Sequence, residues 1–276
     1  LFEVCTLASG SSGNCLLMTD GSTHILVDAG ISARRICKAL RGLGVEPGEL
    51  AGILVTHEHT DHIAGIATLT KQLALPVYAS HAAGRQMAYR IAFLEDCLHT
   101  FAPGDSFEVG TFGVESFPTQ HDTAQSVGYA VTCRDRKAAV ATDLGEVTDE
   151  VRYGVRGAHL LVCETNHDVE MVRTGPYPYY LKARILGEHG HLCNEDGAAL
   201  ALRAVEEGAG VVVLAHLSAE NNTPSRAHHV VKTCLEAAGV DAEHDVLVEV
   251  APRSETGRRY LVGEHAHMPA APLTML

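Results

Sequence analysis

Apolar residues along this chain come in short runs separated by small and polar ones. Runs over 2–7, 16–19 and 25–28 read as strands, with a Gly/Ser loop after the first and a tight turn at Asp20-Gly21 between the second and third. Helical spacing over 32–40 stops in a Gly-rich stretch, and GILVT at 52–56 reads as a buried strand. A helix over 63–72, a short strand over 76–79 and several β segments between 100 and 141 follow. The second half alternates in the same manner, with strands at 159–163, 211–215 and 246–250 and helices after Asn194 and Thr223. This alternation predicts an α/β protein. No low-complexity linker separates the halves, so one domain is expected over 1–252, followed over 253–276 by a surface-hugging or frayed C-terminal tail.

Composition narrows the class. In 276 residues, 46% are hydrophobic and 20% charged, the balance of a packed globular domain. No apolar run approaches the roughly 20 residues that span a bilayer, so no membrane partner is expected. The opening LFEVCTLASG has no basic flank before an apolar stretch and does not read as a signal peptide, so a cytoplasmic location is expected. Eight cysteines without a C-x-x-C pair argue against a disulfide framework and a zinc knuckle. A net charge of −13 counts against broad affinity for polyanions; nucleic acid would have to be met in one cationic or metal-bearing cleft. Histidine, at 17, is the anomaly to be explained.

Strand GILVT runs directly into HEHTDH, which places His57, His59, Asp61 and His62 at the C-terminal end of a buried strand, where α/β proteins put chemistry. In an extended segment residues i and i+2 share a face, so His57 and His59 can grip one ion together. Asp61 and His62 turn onto the next helix and can reach a second ion beside the first. Imidazole and carboxylate at this density suit Zn, Mn, Fe or Co. Read blandly, the segment is a solvated polar loop, but four such residues in six positions are too many for that.

This H-x-H-x-D-H pattern resembles that of the metallo-beta-lactamase superfamily, and the resemblance extends over nearly the whole chain. It implies a four-layered αββα sandwich and three further ligands: His121 in FPTQHD, Asp143 in AVATDLG and His216 in VVVLAHLS. By the family's geometry His57, His59 and His121 would hold one metal, Asp61, His62 and His216 the other, and Asp143 would bridge them. Asp28 in HILVDAG would orient a ligand from behind. Taken singly, each later residue would read as a core histidine or a capping aspartate. The runs ASGSSGN, LVDAG, GILVTHEHTDHI, TDLG, ETNHDVEM, GHLCNE and LAHLSAENN are similar to the YycJ/WalJ (VicX) branch, bacterial metallo-hydrolases regarded as 5′-to-3′ exonucleases. The chain departs from that branch at Cys15 and Cys193, where Ser is expected, and in a longer tail. The resemblance thus implies a dinuclear phosphodiesterase with two divalent ions, Zn or Mn with Fe as a further option, acting as a 5′-to-3′ exonuclease on DNA.

Within that chemistry Asp61 is the candidate to orient the attacking water. Glu164 in CETNHD and His191 in GHLCNE match the Glu and His that form a proton-donating pair in the related transfer-RNA 3′-processing ribonucleases; the bland alternative is a brace for the following helix. Candidate substrate contacts are Ser11, Ser12 and Asn14 in a loop that either cradles a phosphate or simply turns. His167 could line the same cleft. Tyr177 and Lys182 belong to RTGPYPYYLKAR, either a stacking platform with a cationic edge or a helix start with tyrosines on its apolar face. Arg34, Arg35, Lys38 and Arg41 form a basic stripe that is a solvated face in the simpler reading. Two rival functions stand: a glyoxalase-type hydrolase of a small ester or thioester, which would not need Glu164 and His191, and a non-catalytic regulatory protein with a structural metal site.

Overall fold

The computed structural model describes residues 1–263; the remainder of the expected tail, 264–276, lies outside the described residues. In chain order the strands of the first half are β1 (Glu3–Ala8), β2 (Cys15–Thr19), β3 (His24–Val27), β4 (Leu50–Leu54), β5 (Val77–Ser80) and β6 (Leu98–Phe101). Those that follow are β7 (Ser106–Val109), β8 (Phe112–Pro118), β9 (Val127–Cys133), β10 (Arg136–Ala141), β11 (Leu160–Glu164), β12 (Val211–Ala215), β13 (Leu247–Val250) and β14 (Arg259–Leu261). The helices are α1 (Ala33–Gly42), α2 (Thr60–Ile63), α3 (Ile66–Leu73), α4 (His81–Arg90), α5 (Asp149–Val155), α6 (Val169–Thr174), α7 (Tyr179–Ile185), α8 (Asn194–Glu206) and α9 (Pro224–Ala237).

Two seven-stranded sheets result, ordered β14-β1-β2-β3-β4-β5-β6 and β13-β12-β11-β10-β9-β8-β7. Both are mixed: β3 to β6 and β10 to β13 pair in parallel, and the other neighbours are antiparallel. Successive side chains of a strand face opposite ways, and here both faces are covered, which is why the central strands read as unbroken apolar runs. On β12, Val211 and Val213 join the core shared by the sheets, where they meet Val4, Met18 and Ile25 from β1 to β3. Val212 and Leu214 point the other way, into a second core under α5, α8 and α9. Leu17 and Leu26 similarly leave the first sheet outward, onto Ile36 of α1, Leu69 of α3 and Met87 of α4. The layer order is α, β, β, α, as the resemblance implies.

Three sequence expectations are corrected. The helix expected over 63–72 is two helices, broken at Gly65, where a Cβ would meet the Ile31 carbonyl oxygen at 2.5 Å. Helices α4, α5 and α6 were not anticipated; α4 buries only Ala83, Gly84 and Met87, too narrow a stripe to read as amphipathic. The tail expected from 253 is in part structure: β14 pairs antiparallel with β1, and Tyr260 and Val262 are buried, so the first sheet extends past the expected boundary.

The strands deliver the candidate residues to one edge. Asp28 directly follows β3, His57 to His62 follow β4, His121 follows β8, Asp143 follows β10, Glu164 ends β11 and His216 directly follows β12. Asp28, Asp143 and His216 carry left-handed backbone at φ 60°, 58° and 56°. A non-glycine residue is rarely held there, and the chain makes these sharp exits where side chains must turn toward one point.

Candidate functional site

Two groups of donors face each other across this edge. The ligand atoms of His57, His59 and His121 lie within 4.8 Å of one another, and so do those of Asp61, His62 and His216. Asp143 sits between the groups, with Oδ2 3.3 Å from His62 Nε2 and Oδ1 3.8 Å from His121 Nε2. The backbone under Asp61 is tightly tied: Asn14 N–H donates to the Asp61 carbonyl at 2.8 Å, and Ala29 N–H donates to that of His62 at 2.8 Å. Gly30 makes this approach possible, since a Cβ there would lie 1.6 Å from the Asp61 carbonyl oxygen.

Each inner imidazole is oriented through its Nδ1. His62 Nδ1 lies 2.7 Å from Asp28 Oδ2, His57 Nδ1 3.0 Å from Thr56 Oγ1, His121 Nδ1 2.9 Å from the Gly190 carbonyl and His216 Nδ1 2.9 Å from Glu164 Oε1. Nδ1–H donation to these acceptors leaves Nε2 with its lone pair turned into the site. Glu164 is fully buried, and its Oε1 is also 2.9 Å from His191 Nδ1, while Oε2 accepts from the backbone N–H of Leu144 and Leu192. Glu164 was expected to support His191 as proton donor; its place is behind two histidines, His191 and His216, with one oxygen within hydrogen-bonding distance of both.

The donors fit divalent cations. Among the described residues, His57 Nε2, His216 Nε2 and Asp143 Oδ2 are buried with no hydrogen-bond partner, a costly state for polar atoms unless a cation meets them. Burial, with His62, His121 and His59 nearby, holds His57 well below the usual histidine range, so its ring is neutral and available as a ligand. For His216 burial favours the neutral ring too, but Asp143, Asp61 and Glu164 outweigh it and push the value up to about 10. His62 is raised in the same way against burial, by Asp143, Asp28 and Asp61. The carboxylates here demand positive charge, which protonated rings or metal cations supply.

Above the donors opens a cleft of about 270 Å³ that includes His59, Asp61, His121, Asp143, His191 and His216 in its wall. The profile of a family described as "Beta-lactamase superfamily domain" matches residues 23–217. The chain belongs to the metallo-beta-lactamase superfamily. It is 40% identical over 234 residues to exodeoxyribonuclease YycJ of Bacillus anthracis, covering 84% of this chain and 89% of that one. It is 35% identical over 259 residues to exodeoxyribonuclease WalJ of Streptococcus pneumoniae, covering 92% and 96%. The metallo-beta-lactamase fold protein YhfI of Bacillus subtilis superposes with a TM-score of 0.70 at 20% identity, covering 94% of this chain and 98% of that one, which shows the shared fold.

In this metallo-beta-lactamase protein the expected substrate contacts divide. Ser11 and Tyr177 line the cleft; Ser12, Asn14, His167 and Lys182 do not. Asn14 Nδ2 lies 3.1 Å from His62 Nε2 and 3.5 Å from Asp61 Oδ2, so it braces the donors. His167 is 1% exposed, and burial holds it down at about 4, a neutral core ring; its neighbour Asn166 is the one in the cleft wall. Lys182 donates to the Arg173 carbonyl at 2.7 Å. RTGPYPYYLKAR does start a helix, α7, but Tyr179 and Tyr180 are 87% and 74% exposed rather than on a buried face. Of the basic stripe on α1, Arg41 pairs with Glu46 and Arg35 donates to the Ser254 carbonyl, and neither is among the residues lining the cleft. Arg184, the basic end of the expected cationic platform, does reach the cleft wall, whereas sequence reasoning gave no role to Asp122 or Ser218, which stand there too. Asp122 was readable as the residue next to His121; Ser218 carries no local signal.

Proposed function

We propose that this chain is a metal-dependent phosphodiesterase that degrades DNA from its 5′ end, an exodeoxyribonuclease. The names of its near-full-length relatives support the substrate, and one observation of its own carries the chemistry: two donor triads with Asp143 between them lie in the same cleft as His191. Two divalent ions, Zn or Mn with Fe as a further option, would be held by His57, His59 and His121 and by Asp61, His62 and His216, with Asp143 shared. Bound there, they would lower the pKa of water and draw charge from the phosphoryl oxygens.

The chain's own groups divide the remaining work. Asp61 Oδ2, 3.6 Å from His216 Nε2, faces the cleft and accepts a hydrogen bond from the attacking water, fixing its direction. His191, 21% exposed, has Nδ1–H held by Glu164, so its Nε2 is the atom that gives a proton to the leaving oxygen. Burial works against the Glu164 carboxylate, but His191 and His216 hold its pKa well below the usual range, so it remains an anion able to support a cationic His191. A DNA substrate goes with a cytoplasmic location; among the described residues no helix is long and apolar enough to cross a membrane.

The test is degradation of 5′-labelled and 3′-labelled DNA and RNA, single- and double-stranded, with Mn or Zn, by wild type and a His57→Ala, Asp61→Ala double variant. Stepwise release from the 5′ end of DNA, lost in the variant, is the expected result. Absence of cleavage of every strand with metals confirmed bound overturns the reading in favour of small-ester hydrolysis.

A further inference from the structure

Among the described residues that line the cleft, Arg184 is the only lysine or arginine, in a chain of net charge −13. It stands on α7, a helix with no buried residue, and its side chain is 57% exposed. Its guanidinium is bound to Asp122 Oδ2. The other oxygen of the same carboxylate, Asp122 Oδ1, lies 3.5 Å from His121 Nε2 and 3.8 Å from His59 Nε2. A single carboxylate therefore separates the guanidinium from the nitrogens that would hold a metal ion.

Asp122 meets the Arg184 guanidinium with one oxygen and the metal-side nitrogens of His121 and His59 with the other. A cation held by His57, His59 and His121 would neutralise it from one side, which lowers the cost of giving up Arg184 on the other. A phosphate entering the cleft offers the guanidinium a planar, doubly accepting partner, the geometry in which arginine binds most strongly. The absence of a buried anchor on α7 lets its exposed arginine re-aim at little cost. We infer that Arg184 grips a phosphate of the substrate strand beside the bond to be cut, exchanging Asp122 for that phosphate as the strand enters. This rests on the nuclease reading for the identity of the ligand, but the phosphate-binding chemistry stands apart from cleavage. The phosphate is either the 5′-terminal one or an internal phosphodiester.

The experiment compares wild type with Arg184→Gln, Arg184→Lys and Asp122→Asn, each with its metal content measured. Steady-state kinetics are taken on 5′-phosphorylated and 5′-hydroxyl oligodeoxynucleotides, and binding of a nuclease-resistant phosphorothioate strand labelled at its 3′ end is followed by fluorescence anisotropy. Arg184→Gln is expected to raise KM and the dissociation constant about tenfold with kcat within about twofold, the scale of one charge-assisted hydrogen bond, and Arg184→Lys to recover part of the loss. Asp122→Asn breaks the same pair yet frees the guanidinium, so KM stays level or falls. Equal weakening by Arg184→Gln and Asp122→Asn would mean that the pair only braces α7, and overturns the inference. If Asp122→Asn also loses metal, Gln and Lys at 184 decide alone, and equal KM for the two overturns it. A wild-type preference for the 5′-phosphorylated strand that vanishes in Arg184→Gln assigns the terminal phosphate; equal weakening on both strands assigns an internal one. Wild type that binds the phosphorothioate strand through Arg184 but cuts nothing sinks the nuclease reading and leaves the grip; cleavage and binding indifferent to Arg184 do the reverse. Binding of no strand by any of the proteins overturns both.

Discussion

His62 Nδ1 lies 2.7 Å from Asp28 Oδ2, and neither side chain is more than 5% exposed. Asp28 Oδ1 meanwhile accepts from Thr56 N–H at 2.8 Å, so a single carboxylate ties β3 to the start of the histidine loop and fixes the ring that follows it. Substitution Asp28→Asn keeps the volume but puts an amide N–H where an acceptor is needed. Loss of such an outer partner lowers metal affinity by about 10- to 100-fold. Competition with a graded chelator should show that drop, with helix and strand content retained in circular dichroism.

His191 and His216 share one acceptor, Glu164 Oε1, and this separates two variants. His191→Ala removes the proposed proton donor alone, and kcat should fall by about 10² to 10⁴ while metal content holds. Glu164→Gln disturbs both rings and loses an anion in a fully buried position, so metal content and thermal stability should fall together, by about 3–5 kcal/mol in stability. Parallel metal analysis and thermal melts make the comparison. Equal loss of activity and metal in His191→Ala would make that residue a ligand.

The order in which these residues became legible follows from where their signals lie. His57, His59, Asp61 and His62 stand within six positions, so strand and turn geometry alone bring them together. His121, Asp143 and His216 each follow an apolar strand, but only the stacking of two sheets makes them neighbours, and only the family pattern pointed to them. Arg184 and Asp122 are 62 residues apart, and nothing local foretells their contact, which depends on how α7 lies over the loop after β8. Lys182 looked equivalent to Arg184 in sequence; two positions on a helix turn the side chain to another face. β14 was missed because Arg258 precedes and Arg259 begins a three-residue edge strand whose buried side chain is Tyr260 alone.

Removing the metals should destabilise the fold, since His57 Nε2, His216 Nε2 and Asp143 Oδ2 would remain buried without partners. At free metal about 1,000 times its dissociation constant, binding to the folded state alone stabilises by about 4 kcal/mol. Chelator-treated protein should therefore melt several degrees lower, and Zn or Mn, added back, should restore the original melting temperature. A melting temperature unchanged by thorough removal would remove the metal from the account of stability.

Gly30→Ala tests the close approach beneath Asp61 without touching a donor. The added methyl group would stand 1.6 Å from the Asp61 carbonyl oxygen, and Asn14 N is only 2.7 Å away, both backbone atoms that cannot swing aside. The loop must shift, and stability should fall by about 1–3 kcal/mol, as overpacking does. Metal affinity should fall with it, because the displaced segment carries Asp61 and His62. A variant with wild-type melting temperature and metal affinity would show that the approach is not tight in solution.

A last prediction concerns pH and lies away from the cleft. Asp20, in the turn between β2 and β3, accepts from Ser22 N–H and Ser22 Oγ at 2.8 Å and from Thr23 N–H at 2.7 Å. It also accepts from Thr111 Oγ1 at 2.6 Å, which joins the first sheet to the turn between β7 and β8. Burial disfavours the anion, but the bonds from Thr111, Thr23 and Ser22 outweigh it and hold the carboxyl well below the usual range. A carboxyl depressed in the folded state binds its proton more readily in the unfolded chain. Its contribution is therefore full above the unfolded value of about 3.9 and is lost as pH falls through the folded value. Because Asp20 is only partly buried, the effect is discounted for solvent screening to about 1 kcal/mol. Asp20→Asn should thus be less stable than wild type by about that amount at pH 7, and urea titrations from pH 7 to pH 3 should show the gap closing only below about pH 4. A gap that stays constant over that range would mean that the turn is held by something other than the Asp20 charge.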